Sequence, residues 1–171
     1  LVGFTIGRTD WEYMSNCFVI WPRIGFHFLE TDRPAGGDGN VLITQSGSDI
    51  GPLAVLIDEV QTHSGIAFEN CQFMSGIQMS PSRSGPVKLT NCGVWGKAGA
   101  GSQMVIDGEG TVSLTACHFH EWASDNPCIA ANDGCLLVHG CDFVDAGAQI
   151  HLGKGVSGAA IIGNRLRSGE G

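Results

Sequence analysis

A short phrase of six residues recurs along this chain, and it limits the possible folds more than any other feature. The six positions of each copy hold, in order, an apolar residue, any residue, a small or turn-forming residue, Cys, any residue and a second apolar residue. The five clear copies are residues 14–19, 68–73, 89–94, 114–119 and 138–143. Two weaker copies carry Ser46 and Asn164 at the cysteine position. A repeat of this length predicts one supersecondary unit stacked on itself, with each copy burying its apolar face against the next.

One repeat contains three short strands. Residues 87–90 alternate apolar and polar side chains after the turn-forming pair Gly85-Pro86. Asn91 tolerates the left-handed conformation of a corner. Residues 92–95 alternate again, and residues 104–106 form a third apolar run. The predicted fold is all-β: a right-handed, single-stranded parallel β-helix of about six to seven coils with three short strands per coil. Residues 1–171 form a single β-helix domain in this interpretation.

The repeat also predicts which side chains fill the interior. They occupy the alternate positions of the first strand, the cysteine position, the position two residues later, and the alternate positions of the third strand. The predicted core is Val41, Ile43, Ile66, Phe68, Val87, Leu89, Val112, Leu114, Leu136, Val138, Ala159 and Ile161, then Cys17, Cys71, Cys92, Cys117 and Cys141, then Val19, Phe73, Val94, Phe119, Phe143 and Leu166, then Ile24, Phe26, Ile77, Met79, Met104, Ile106, Ile129, Ala131, Ile150 and Leu152.

Composition agrees with strands and turns and argues against two classes of partner. The chain has 26 Gly among 171 residues and a net charge of −8. Glycine readily adopts the positive φ that corners between strands require. A negatively charged surface repels phosphate backbones, so nucleic acid is not an expected partner. No run of 18 apolar residues is present, so no membrane span is expected. The repeat starts by residue 14 and continues to residue 166, from which we expect this chain to be a segment of a longer protein.

The cysteines follow the repeat, which predicts buried free thiols in place of a disulfide framework. Five of the seven occupy the same position in successive copies, where a small apolar side chain fills the same space in each layer. Cys128 and Cys135 lie outside that column, seven residues apart across residues 132–134. Two arrangements stay open for them: both free, or paired across a corner.

The phrases at residues 68–73, 85–92 and 110–114, with the closing residues 163–166, resemble those of the pectate-lyase-like (pectin lyase fold) superfamily of right-handed parallel β-helices. The chain looks most like the uncharacterised bacterial putative glycosyl hydrolases of that group. The resemblance implies binding, hydrolysis or β-elimination of a polysaccharide, in an extracellular or periplasmic location. The acidic Ca²⁺ cluster of the lyases and the paired aspartates of the hydrolases have no counterpart here, so no catalytic residue is carried over.

Outward positions of the second strand offer the most suggestive group of side chains. His118 and Asp142 fall in one column on adjacent coils, close enough for a charge-assisted hydrogen bond. Trp95 and His120 fall in the next column, and Trp122 follows in the loop. This set predicts a carbohydrate site at Trp95, His118, His120 and Asp142, with sugar rings stacked on indoles and a histidine tuned by a carboxylate as general acid or base. A surface ladder pair beside two packed indoles is the open alternative.

Other clusters are weaker candidates. His118, His120 and His139 are close in sequence, but His139 precedes the corner and belongs to another strand, so no metal site and no cofactor are expected. Asp107 and Asn132 suit corner positions, and the acidic pair Asp58-Glu59 suits a solvated turn.

Two functions remain open from the sequence. The first is a carbohydrate-active module that binds, and in one version cleaves, a polysaccharide. The second is a non-catalytic scaffold whose apolar exterior packs against other domains or other copies of itself. That exterior comprises Leu42, Leu56, Val105, Leu137 and Ile162. A homo-trimer or another homo-oligomer is compatible with both functions.

Overall fold

A computed structural model describes residues 1–31, 39–96, 101–122 and 125–167 of the chain. Those residues form 19 β-strands and no helix, and therefore contain no helix that could cross a membrane. The strands are β1 (Val2–Ile6), β2 (Glu12–Ser15), β3 (Phe18–Ile20), β4 (Ile24–Phe28), β5 (Val41–Thr44), β6 (Gly47–Asp49), β7 (Leu53–Ile57), β8 (Ile66–Glu69), β9 (Gln72–Phe73), β10 (Gly76–Met79), β11 (Val87–Thr90), β12 (Gly93–Val94), β13 (Met104–Ile106), β14 (Thr111–Thr115), β15 (His118–Phe119), β16 (Ile129–His139), β17 (Asp142–Phe143), β18 (Ile150–Ile162) and β19 (Arg165–Leu166).

The strands stack in three parallel columns, which confirms the predicted right-handed parallel β-helix, with about six turns. The first-strand column runs β2-β5-β8-β11-β14 and continues in the second halves of β16 and β18. The second-strand column runs β3-β6-β9-β12-β15-β17-β19. The third-strand column runs β1-β4-β7-β10-β13 and continues in the first halves of β16 and β18. Each strand therefore pairs with its equivalent one coil away, as the repeat predicts.

The corner between the third and first strands lies inside a continuous strand in the last two coils. β16 and β18 each run through both columns, so Asn132 lies inside a strand. The register nevertheless shifts around Asp133, and Gly134 is left-handed with φ of 78°. Cys128 and Cys135 are both free.

The corner between the first and second strands depends on a left-handed residue. Asn70, Asn91 and Gly140 occupy it with φ of 54°, 52° and 63°. The amide of Asn91 donates a 2.7 Å hydrogen bond to Oδ1 of Asn70 on the neighbouring coil. Asparagine and glycine adopt this conformation at low cost, which explains their recurrence just before the cysteine position.

The thiols of the cysteine column are free and mostly buried, as predicted, but they also act as weak hydrogen-bond donors. Cys117 Sγ donates to the carbonyl oxygens of Thr115 and Leu89, both at 3.5 Å. Ser46 Oγ makes the equivalent 2.8 Å bond to the carbonyl of the residue two positions before it. The amide of Asn164 donates to a carbonyl of the preceding coil, that of Val138, at 3.1 Å. A small side chain with a donor is therefore what this position requires, and this explains why Ser and Asn replace Cys there.

The interior is a continuous apolar column with stacked aromatic rings. Phe119 and Phe143 stack at 4.9 Å between ring centroids, and Phe68 meets Phe73 edge-on at 5.2 Å. Most of the predicted core is buried. At the last coil the prediction is wrong, because no described coil packs over it. The exposed members there are Leu152, Ala159, Ile161 and Leu166. Cys17, Val19, Ile24 and Ile150 are only half-buried.

A buried arginine holds the third corner together, although no sequence pattern indicates it. Arg83 is 0% exposed. Its guanidinium donates to the carbonyl oxygens of Gly85 and Gly108, both at 2.8 Å, and of Gly110 at 3.1 Å. Those carbonyls belong to turns of two neighbouring coils, so one side chain links both turns. Burial lowers the pKa of Arg83, with the nearby Glu59 and Asp133 acting in the opposite sense.

Candidate functional site

The outward positions of the second-strand column form a single straight row across the molecule, which we call the second-strand face. Strand register places its members directly above one another, about 4.8 Å apart. From the first coil to the last the row is Phe18, Gly47, Gln72, Gly93, His118, Asp142 and Arg165. Parallel pairing of these very short strands therefore places on one face side chains that are far apart in the sequence.

His118 and Asp142 are neighbours on this face, as the repeat predicts. His118 Nδ1 lies 3.3 Å from Asp142 Oδ2. Asp142 has a stronger partner that was not predicted from the sequence. Arg165 donates from Nε to Asp142 Oδ1 at 2.6 Å and from Nη2 to Asp142 Oδ2 at 2.5 Å. Hydrogen bonding and the positive charge of Arg165, with a smaller effect of His118, hold the pKa of Asp142 below its usual range. Asp142 is therefore a fixed carboxylate acceptor and is poorly suited to donate a proton.

His120 belongs to a second polar group beside this row. Its Nδ1 lies 3.1 Å from Asp145 Oδ2, and the backbone N–H of Glu121 donates to the same oxygen at 2.5 Å. The rings of His118 and His120 are 6.4 Å apart between centroids. Both imidazoles thus have a carboxylate partner from the next coil, which orients them toward the same stretch of surface.

Trp95 lies next to the row and is held by a hydrogen bond. Its indole Nε1 donates to Gln72 Oε1 at 3.2 Å. The Gln72 side chain extends over the next coil, where a Cβ on Gly93 would come within 2.4 Å of Gln72 Oε1. Gly93 thus leaves space for the Gln72 side chain in the position from which it accepts this hydrogen bond. Trp95 is half-buried, so part of its ring is open to a ligand.

Trp122 does not contribute to this surface, contrary to expectation. It is only 6% exposed and packs edge-on against Phe143 with 6.5 Å between ring centroids. Of the two tryptophans considered for stacking, only Trp95 remains accessible.

A second polar cluster lies at the end of the third-strand column. His27 Nε2 is 2.6 Å from Asp58 Oδ2, and Ser80 Oγ donates to Asp58 Oδ1 at 2.5 Å. The sequence predicts a solvated turn for Asp58, but this residue links side chains from three successive coils. A signal exists in the repeat, because it places His27 and Ser80 on the outward side of third strands. Each carboxylate oxygen of Asp58 has one side-chain partner, so the cluster ties three coils together.

Histidines and acids do not converge on a metal-binding geometry among residues 1–31, 39–96, 101–122 and 125–167. His139 pairs in register with Thr115 and Ile162 in the first-strand column, away from His118 and His120. The three histidines that are close in sequence therefore belong to two different faces.

Searches against protein-family models, curated proteins and solved structures gave no match to this chain. The resemblance to the pectate-lyase-like superfamily consequently has no support from a family, a relative or a structural neighbour. The parallel β-solenoid fold itself rests on the strand register described above.

Proposed function

We propose that this chain is a carbohydrate-binding β-solenoid whose second-strand face contacts a polysaccharide. The observation that carries the proposal is the row of polar side chains His118, Asp142 and Arg165 on consecutive coils, with Trp95 and His120 beside it. Extended glycans present repeating hydroxyls and apolar ring faces, and a surface of regularly spaced hydrogen-bonding groups beside an indole suits both.

The charges of this face favour binding through hydrogen bonds over attraction of a strongly charged polymer. Asp142 is neutralised by Arg165, and Asp145 is paired with His120. The imidazole, carboxylate and amide groups are thereby oriented by their partners, and this lowers the entropy cost of holding a ligand. Sugar hydroxyls can both donate to the carboxylates and accept from the imidazoles.

Binding is better supported than cleavage. A glycoside hydrolase needs one carboxylic acid whose pKa is raised, so that it can protonate the leaving group. The pKa of Asp142 is shifted in the opposite direction by Arg165. We therefore assign His118 and Asp142 to ligand contact and propose no catalytic step for them.

The test is retention on immobilised polysaccharides, measured by affinity electrophoresis with a panel of neutral and acidic glycans. Trp95→Ala and His118→Ala are expected to weaken binding by about five- to tenfold each, the equivalent of one lost contact of about 1–1.4 kcal/mol. Their melting temperatures should stay close to that of the wild type, because both side chains lie outside the core. His139→Ala is the matched control, an exposed histidine on another face. Absence of retention on every glycan, or equal loss in the His139 control, would overturn the proposal.

The rival function is a non-catalytic scaffold, and one observation favours it. Leu137 and Ile162 are exposed apolar side chains in the last coils. The other members of the expected apolar exterior, Leu42, Leu56 and Val105, are half-buried, so the apolar surface is smaller than the sequence suggested. A scaffold predicts a mass that rises with protein concentration in sedimentation velocity, with no glycan retention. A constant monomer mass with Trp95-dependent retention supports the carbohydrate function.

A further inference from the structure

A cleft on another face of the solenoid carries aromatic side chains that the fold does not need. Its volume is about 330 Å³, and Trp11, Tyr13, Ala67 and Lys88 are among the residues that line it. Tyr13, Ala67 and Lys88 are outward positions of the first-strand column, one corner away from the second-strand face. Because Ala67 is small, the surface dips between the larger side chains around it. The volume lies at the lower end of the range typical of small-ligand sites.

Trp11 and Tyr13 project from this cleft into solvent. They are 67% and 68% exposed. No hydrogen bond, ring contact or ion pair joins their side chains to the residues that the structure describes. Two neighbouring aromatic side chains that bury so little of their surface contribute little to the stability of the coil. Their placement therefore needs a reason other than core packing.

The backbone at Trp11 strengthens this argument. Trp11 precedes β2 at the position that Gly65 occupies before β8, since Glu12, Val41 and Ile66 are in register. Both residues are left-handed, with φ of 66° for Trp11 and 61° for Gly65. Glycine adopts this conformation without strain, whereas a residue with a large side chain does not. An indole is thus held at a strained position while exposing most of its surface, so neither backbone preference nor burial accounts for a tryptophan at this corner.

The cleft carries polar groups of both charges, and some of them have no hydrogen-bond partner in the described part of the chain. The side chains of His63 and Lys88 make no hydrogen bond or ion pair with the described part of the chain. Glu12 brings a carboxylate, whose Oε2 accepts a 3.4 Å hydrogen bond from Thr9 Oγ1. Donors and an acceptor without a large net charge suit a neutral polyhydroxylated ring better than an anion or a cation. The aromatic faces supply the surface on which the C–H groups of such a ring can pack.

We propose that this cleft is a separate binding site for a neutral saccharide unit, with Trp11 and Tyr13 as its stacking surface and His63 and Lys88 as hydrogen-bond donors. The site does not depend on the second-strand face, from which a corner of the coil separates it. A chain with both sites can engage two stretches of glycan, or two chains, at once.

The test uses the whole chain and neutral hexasaccharides of glucose, xylose and mannose, with oligogalacturonate as the acidic comparison, in calorimetric titrations. Trp11→Gly is the informative variant because it removes the indole and relieves the left-handed backbone. We expect it to weaken neutral-sugar binding by about tenfold, one lost stacking contact, with a melting temperature equal to or above that of the wild type. Gln45→Gly is the matched control for the backbone change, since Gln45 is also exposed and left-handed (φ 50°) but lies at another corner and carries no aromatic ring. Its binding should be unchanged.

Tyr13→Ala serves as the second variant, with the same expected loss and no backbone effect. Each titration is repeated with variants that also carry Trp95→Ala. If the second-strand proposal fails, binding will not depend on Trp95, and this outcome is seen separately from any effect of Trp11 or Tyr13. Equal affinity of wild type and Trp11→Gly for every neutral sugar, or binding confined to oligogalacturonate and weakened by salt, would overturn the inference.

Discussion

Replacing Arg83 with Met tests whether one buried guanidinium links two coils of the solenoid. The substitution keeps an unbranched apolar stem but leaves the carbonyls of Gly85 and Gly108 without their donor. The carbonyl of Gly110 loses one of two donors, since it also accepts at 3.4 Å from the N–H of Cys135. Leaving a buried acceptor unsatisfied costs about 1–3 kcal/mol, so two carbonyls set a gross loss of roughly 2–6 kcal/mol. Relief of the desolvation of a buried cation offsets part of this loss, so we expect the free energy of unfolding to fall by about 2–4 kcal/mol.

The measurement is equilibrium unfolding in guanidinium chloride, followed by circular dichroism. Arg83→Lys is the second variant: its single ammonium cannot reach carbonyls on both coils, so it should recover less than half of the loss. Arg23→Met is the charge-matched control at an exposed position, with an expected change within about 0.5 kcal/mol. A midpoint for Arg83→Met that matches the control would refute the reasoning, because it would mean that the carbonyls of Gly85 and Gly108 find other partners at no cost.

Three further predictions concern the core, the second-strand face and the thiols. Phe119→Ala should lower the free energy of unfolding by about 3–5 kcal/mol through the cavity it leaves, measured by the same unfolding experiment; a loss below about 1 kcal/mol would contradict the stacked core. Arg165→Gln should raise the pKa of Asp142, measured by NMR titration, because Arg165 holds that pKa below its usual range. A depressed pKa stabilises the folded state at pH values above the unfolded value of about 3.9, and this stabilisation is lost as the pH falls below it. The variant should therefore lose less of its free energy of unfolding in acid than the wild type. A thiol reagent should label the half-buried Cys17 and Cys135 first, and the five buried cysteines only after denaturant is added. Rapid labelling of all seven would contradict this, because it would show that the cysteine column is open to solvent.

The repeated phrase predicted the fold because it constrains every coil in the same way. A left-handed corner followed by a small buried side chain recurs at one position, so parallel stacking is the arrangement that buries all copies at once. The spacing of the phrase was also enough to predict that His118 and Asp142 are neighbours, since both occupy the same position in successive copies. Errors arose where the repeat ends or changes: Leu166 and Ile161 are exposed in the last coil, and Asn132 lies within a strand that runs through the expected corner.

Some side-chain partnerships were not predicted from the sequence. Arg165 occupies the same position of the repeat as Asp142, one coil further on, but its side chain could equally have extended into solvent. Asp58 has the sequence context of a turn acid, whereas it joins His27 and Ser80. These pairings depend on rotamers and on loops of unequal length, and neither follows from periodicity.

Periodicity alone was sufficient to predict the β-solenoid, its three columns and the free thiols of its cysteine column, because backbone hydrogen bonding and burial of apolar side chains repeat with the coil. It could not predict that Arg83 is buried, that Trp122 packs inward, or that Trp11 stays in solvent. Those outcomes depend on which irregular loops cover each corner, and loop packing is a property of the folded chain that no repeat encodes.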